Sequence, residues 1–355
     1  MRPIFVLCTL LAIAPACRSD RVVSDFRGVV LHTPIDKPDF TLTDVNGQPY
    51  NFRTETADKV ALLFFGYTHC PDVCPLHAAN VAAVLKQMPF EEREAIRFVF
   101  VTTDPERDTP ERLKTWLGAF DSSFIGLTGP LDEINRIQNG LRLAPARKEV
   151  VGGDSVNYLV GHAAQVIAFG RDGMARTEYP FGVRQEDWAV DLPKLARGQI
   201  PAPPVQADTT VVHMEPGQPS TAGAPLPPIQ IEVAIMPAPP TTTEAALYLV
   251  IRNNANPDTL VEVSSPIAQS AMIHRTVTRD GMQHMEHVNA LPLPAGSVTT
   301  LKPGDVHVML IGLSERPATG ESVPIRLRFA GGNELVLAAT VVDYSEVERA
   351  LSSRP

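Results

Sequence analysis

The chain is short of cysteine, of positive charge and of long apolar runs. Its 355 residues include four cysteines, too few for a disulfide scaffold. Lysine and arginine number 31 against 40 acidic residues, a formal charge of −9. A nucleic-acid binder needs basic stripes, so no nucleic acid is expected as a partner. The apolar run from Ile4 to Ala14 is too short to span a bilayer, and no later stretch is long and apolar enough. With 44% hydrophobic and 20% charged residues, the chain is neither disordered nor a polytopic membrane protein. What it has in excess is proline. Its 33 prolines are about twice the usual share, so at least one stretch is extended and unpacked. The length allows about two domains, each able to bury a core.

Arg2, the apolar run and Pro15-Ala16-Cys17 read as a secretory signal over residues 1–17. Ala14-Pro15-Ala16 fits a small-residue cleavage site. The same residues ending in Cys17 resemble a bacterial lipobox, in which the cysteine is lipidated after cleavage. On the second reading Cys17 is the lipidation site and anchors the protein to a membrane surface. On the first, the protein is simply secreted. Either way it is exported, to the periplasm or the cell-envelope side. Cys8 lies in the discarded run. Cys70 and Cys74 then remain as one pair, four apart, in an oxidising compartment.

After a spacer at 18–31, strands alternate with helices over 32–198, an α/β pattern. Phe40 to Phe52 reads as a hairpin whose Asn46-Gly47 favours a tight primed turn. Val60 to Phe65 is a continuous apolar run, as in a buried central strand. Thr109-Pro110 reads as a helix cap and first helical residue. Residues 199–228 are rich in proline and read as a linker reaching on the order of 80–90 Å if fully extended as polyproline. Residues 229–342 read as short strands only: 229–235, 246–251, 260–263, 297–301, 306–310, 325–329 and 335–341. That pattern argues for an all-β sandwich or barrel. The tail, 343–355, reads as a frayed helix.

Cys70 and Cys74 follow a buried strand and open a helix. The positive end of the helix dipole favours thiolates there. The pair suits either a disulfide or two soft ligands for copper(I) or zinc, though two thiolates are too few for structural zinc. Gly66-Tyr-Thr-His-Cys-Pro-Asp-Val-Cys-Pro75, then Thr102-Thr-Asp-Pro-Glu-Arg-Asp-Thr-Pro110, then a histidine after Tyr158-Leu-Val-Gly161, resemble the SCO/SenC family. The resemblance implies a thioredoxin-like fold over about 32–198 and a role in assembling the CuA centre of cytochrome oxidase. It also implies Cys70, Cys74 and His162 as ligands for copper(I) or copper(II). In this chain the histidine stands as Gly161-His162-Ala163, where family members often carry Asp-His-Ser. His69 and His77 are not expected as further ligands. Asp104 either orients the site or makes a turn. Asp108 and Thr109 are expected as helix caps.

Residues 271–309 hold eight of the chain's eighteen histidines and methionines, where about two would fall by chance. Imidazole with thioether favours copper(I) over hard cations. A methionine-bearing core with surface histidines would explain any one of these residues, but not the spacing of four. Ten residues separate His274 from Met285, twenty-one separate Met285 from His307, and His307-Val-Met309 places two side chains on one strand face. This resembles the periplasmic CuA chaperone (PCuAC) family. It implies a cupredoxin-like domain carrying copper(I) on His274, Met285, His307 and Met309. Met272, Met282, His284 and His287 have no counterpart and are expected at the solvent, the alternative being that one of them supports the site or forms a weaker one.

The two resemblances together imply an exported copper metallochaperone for CuA assembly, its partner the CuA-bearing subunit of cytochrome c oxidase. Cys70 and Cys74 could also reduce a target disulfide as a redox pair. A thiol–disulfide oxidoreductase with a partner-docking β domain, or a copper buffer for resistance, are the rival readings. A peroxidase is disfavoured because Cys70 lacks a Thr/Arg activation set.

Overall fold

A computed structural model describes residues 22–23, 25–150, 158–202 and 228–352. The N-terminal segment expected to be a signal, with Cys17, and most of the proline-rich segment lie outside the described residues. No helix among the described residues is long and apolar enough to cross a membrane.

The first unit is built on one eight-stranded sheet. Its strands are β1 (Val29–Asp36), β2 (Thr41–Asp44), β3 (Pro49–Asn51), β4 (Val60–Gly66), β5 (Ile96–Thr102), β6 (Ile125–Thr128), β9 (Val166–Phe169) and β10 (Met174–Tyr179). Between β6 and β9 a separate hairpin pairs β7 (Arg147–Val150) with β8 (Tyr158–Gly161). The sheet order is β1-β10-β9-β4-β5-β6-β2-β3, with β4, β5 and β6 parallel and β9 antiparallel to β4. Every residue of β4 is buried, as expected of a central strand covered on both faces. The longer helices are α1 (Val73–Gln87), α2 (Pro110–Gly118), α3 (Leu131–Gly140) and α4 (Gln185–Ala196). Thr109 caps α2 by accepting from the Arg112 amide, with Pro110 at the first turn. This is the expected thioredoxin-like arrangement.

The 40–52 hairpin forms, but its turn is not primed. Only Gly47 has positive φ there. Gly47 N donates to Asp44 O, and Asp44 N to Gln48 O, a type I turn closed by a glycine bulge. The Asp44 carboxylate takes the Asn46 and Gln48 amides and so stabilises the longer loop.

The second unit is all β. Its strands are β11 (Ile229–Pro237), β12 (Glu244–Asn253), β13 (Asp258–Ser264), β14 (Ala268–Arg279), β15 (Met282–His287), β16 (Leu291–Leu293), β17 (Val298–Leu301), β18 (Val306–Leu313), β19 (Ser322–Phe329) and β20 (Glu334–Val342). The order is β15-β14-β18-β12-β11-β20-β19-β13-β16, with β17 also on β12. The first half of β12 pairs with β18 and the second half with β17, so the strands wrap around one core. In β19 Val323, Ile325, Leu327 and Phe329 point in and the residues between them out, the period-2 pattern of a half-buried strand. This is the cupredoxin-like sandwich.

The C-terminal segment is docked, not frayed. Tyr344 packs with Leu76 and Ala79 of α1, and Val347, which opens α5 (Val347–Ser352), packs with Ile235 and Tyr248. Helix α1 is therefore covered on its outer side too, and twelve of its fifteen residues are buried.

Candidate metal centres

The first centre sits where β4 runs into α1. A side chain at Gly66 would bring its Cβ to 2.6 Å from Cys74 Sγ, so only glycine lets the strand end this close to the sulfur. The following loop is pinned from below. Asp108 accepts the Thr68 amide at 2.9 Å, the Thr68 hydroxyl at 2.5 Å and the Thr102 hydroxyl at 2.6 Å. It is thus a buried anchor of the cysteine loop, not the helix cap expected. The Cys74 amide, at the start of α1, lies 3.5 Å from Cys70 Sγ, so the helix N-terminus faces that sulfur.

His162 follows β8, with Nε2 3.6 Å from Cys74 Sγ. Its Nδ1 lies 3.0 Å from Phe65 O and 2.9 Å from Ala163 O. Both partners are acceptors, so Nδ1 carries the proton and Nε2 turns its lone pair to the sulfurs. The two sulfurs and a His162 ring nitrogen lie within 4.8 Å of one another, and all three residues are buried. Burial pushes the Cys70 thiol up, but the neighbouring Cys74 thiol, which donates to it, and the adjacent His162 ring more than offset this and hold it well below the usual range. Burial and the Cys70 charge push Cys74 well up. The pair thus shares its charge unevenly, with the anion favoured on Cys70.

The neighbours expected not to be ligands have other partners. Burial pushes His77 down to about 4, and its Nε2 donates to Ala164 O at 3.0 Å, fixing the segment that carries His162. His69 lies 3.6 Å from Asp108. Asp104 accepts from Tyr158 Oη at 2.7 Å and Arg107 Nε at 2.5 Å. It positions the start of β8, so it orients the site at one remove. His69, Asp104 and Asp108 do converge, but Arg107 and Arg112 pair with the two carboxylates.

The second centre lies between β18, where a strand was expected at 306–310, and a hairpin where none was expected. Strands β14 and β15 meet at Asp280-Gly281, both with positive φ, a type I′ turn. His274 stands opposite His287 on one side and His307 on the other. Thr276 opposes Met285, and Met272 opposes Met309. Alternation puts His274, Met285, His307 and Met309 on one face, together with His287 and Met272. The His274 ring centroid lies 6.2 Å from that of His307 and 5.9 Å from that of His287. His274 Nδ1 and His307 Nε2 are buried without a hydrogen-bond partner, which leaves lone pairs for a cation on imidazoles that are otherwise sealed. Burial, then the two neighbouring imidazoles, push His274 down to about 3, so it stays neutral and able to ligate. His287 is exposed, as expected, but Met282 is buried and His284 is paired with Glu149 of the first unit. Those two are therefore not solvent residues. The Asp-Gly pair was the sequence signal for this hairpin.

Residues 32–197 match the SCO1/SenC family and residues 229–341 the LpqE-like lipoprotein family. A Stutzerimonas stutzeri protein named for copper binding is 36% identical over 176 residues, covering 47% of this chain and 84% of that protein. The structure of Bradyrhizobium japonicum ScoI with copper bound is 35% identical, with a TM-score of 0.40 over 45% of this chain and 99% of that one. The copper-bound PCuAC domain from PmoF2 is 28% identical, with a TM-score of 0.29 over 35% of this chain and 99% of that domain. The chain spans 32% to 64% of the length of several other curated relatives that it matches. At 36% identity across 84% of its relative, and over the segment that holds Cys70, Cys74 and His162, the chain belongs to the SCO1/SenC family.

Proposed function

We propose that this protein is an exported copper metallochaperone with two copper sites that assists CuA assembly in cytochrome c oxidase. It would act on the periplasmic or cell-envelope side, held at the membrane by lipidated Cys17. The observation that carries the reading is the convergence of two sulfurs and one imidazole nitrogen within 4.8 Å in a buried pocket. Thiolate and imidazole are donors that prefer copper to hard cations. The relatives named for copper support the same metal. The second site, His274, Met285, His307 and Met309, offers two imidazoles and two thioethers, a set suited to copper(I). Copper is cargo here. The chain's task is to hold it tightly enough to carry and to release it by ligand exchange to the CuA-bearing subunit.

Copper(I) titration of the full chain against a chelator tests this. Two equivalents are expected. Cys70→Ser with Cys74→Ser should lose one, and His307→Ala with Met309→Ala should lose the other. A wild-type chain that takes up no copper, or a double cysteine variant that loses both equivalents, overturns the two-site reading.

A thiol–disulfide role has its own support in the placement of the pair, with the Cys74 amide at the start of α1 3.5 Å from Cys70 Sγ. The Cys70 thiolate would attack a target disulfide to form a mixed disulfide. Cys74, deprotonated, would then displace the target, leaving a Cys70–Cys74 disulfide and a target dithiol. Two electrons move from this chain to the target. Reduction of a CuA-subunit peptide disulfide, lost in Cys70→Ser, is the expected outcome.

A further inference from the structure

The second unit lays its histidine and methionine face on the cysteine loop of the first. Asp72, between Cys70 and Cys74, is fully buried, and three groups of the second unit converge on it. Tyr248 Oη donates to Oδ1 at 2.8 Å, Gly304 N donates to Oδ2 at 2.7 Å, and His307 Nδ1 lies 3.7 Å from Oδ2. Asp72 occupies the N-cap position of α1 yet makes no side-chain cap bond to its own helix. An aspartate there ordinarily caps. A local rule broken in this way marks a residue committed to something else.

The contact extends to both sides of Asp72. The main chains of His162 and Gln283 exchange hydrogen bonds at 3.4 and 2.9 Å, so β15 adds to the end of β8. Met285 packs into the core cluster that holds Tyr67, Cys70 and Cys74. Arg112 donates to Thr243 at 3.0 Å. As a result Cys70, Cys74 and His162, and likewise His274, Met285, His307 and Met309, are all buried. Ligand exchange with a partner protein requires contact with the ligands, and this arrangement permits none.

We propose that the two units cap each other. Docking on Asp72 closes both donor sets at once, and release of that contact exposes both. The docking surface of the second unit is thus its own metal face, and its occupant is the Cys70–Cys74 loop of the same chain.

The test needs no copper, so its outcome is separable from the copper reading. The reduced, metal-free full chain is treated with iodoacetamide for thiols and diethyl pyrocarbonate for imidazoles. Modification of Cys70, Cys74, His274 and His307 is followed by mass spectrometry in the wild type, Tyr248→Phe and Asp72→Ala. Tyr248→Phe keeps the packed ring and removes only the hydroxyl, so it separates lost docking from lost folding. In the wild type all four residues should be protected. Both variants should speed thiol and imidazole modification together, by about tenfold or more, the scale of losing a hydrogen bond to a charged group. Faster thiol modification with His274 and His307 unchanged would assign Asp72 to the charge of the thiols alone and overturn the proposal. Unprotected residues in the wild type would overturn it as well.

Discussion

At the residue scale, the first centre depends on side chains whose second atom is already spoken for. His162 commits Nδ1 to carbonyls and so presents Nε2. His77 commits Nε2 to Ala164 O and is thereby a support and not a ligand. That support is sensitive to acid. The unfolded chain titrates His77 near 6.5 and the folded chain near 4. Between those values the unfolded state binds more protons, so stability falls as pH falls through this window. The loss between pH 7 and pH 4.5 should be about 2–3 kcal/mol from this group. Urea unfolding of the metal-free chain at the two pH values measures it. His77→Phe should be less stable at pH 7, because Ala164 O loses its donor, and should show a flatter dependence on pH. A slope unchanged by the substitution would assign the acid sensitivity elsewhere.

At the element scale, two Gly-containing turns show what could and could not be read in advance. Asn46-Gly47 and Asp280-Gly281 carry the same turn chemistry. The first sits beside Asp44, whose carboxylate captures two amides and draws the loop into a wider form. The second has no such competitor and takes the primed turn. Gly281, at φ +76°, should not tolerate a side chain. Gly281→Ala should cost about 1–2 kcal/mol. It should also weaken copper(I) binding at the second site more than at the first, as titration would show. The core strands were legible because Val60–Gly66 and the alternation in 322–329 are apolar patterns. Strands β14 and β15 were not, because His274, Thr276, Met282 and Met285 occupy buried positions that apolar residues usually mark, while Gln269, Arg275 and Arg279 are exposed. Their buried face meets the other unit instead. The candidate ligand positions were named from spacing and family resemblance, and the structure brings Cys70, Cys74 and His162 together, but no local pattern could show that Asp72 turns away from its own helix.

At the scale of the whole molecule, the two cores are distinct, yet the surface between them carries the chemistry. Tyr344 belongs to this surface by packing on Leu76 and Ala79. Its replacement by serine should leave the secondary structure unchanged by circular dichroism. It should shift a single thermal unfolding transition towards two resolved ones, read by calorimetry, as the two units lose their mutual support. The hydrogen bonds between His162 and Gln283 have a consequence of another kind. They join the backbone of one ligand to the strand that carries Met285, two residues on. A movement of either main chain is a movement of both, as in two links of a chain. If both sites take up copper as proposed, filling one would strain or relax the geometry of its neighbour. Binding energies measured on the separated halves should therefore fail to sum to that of the intact protein.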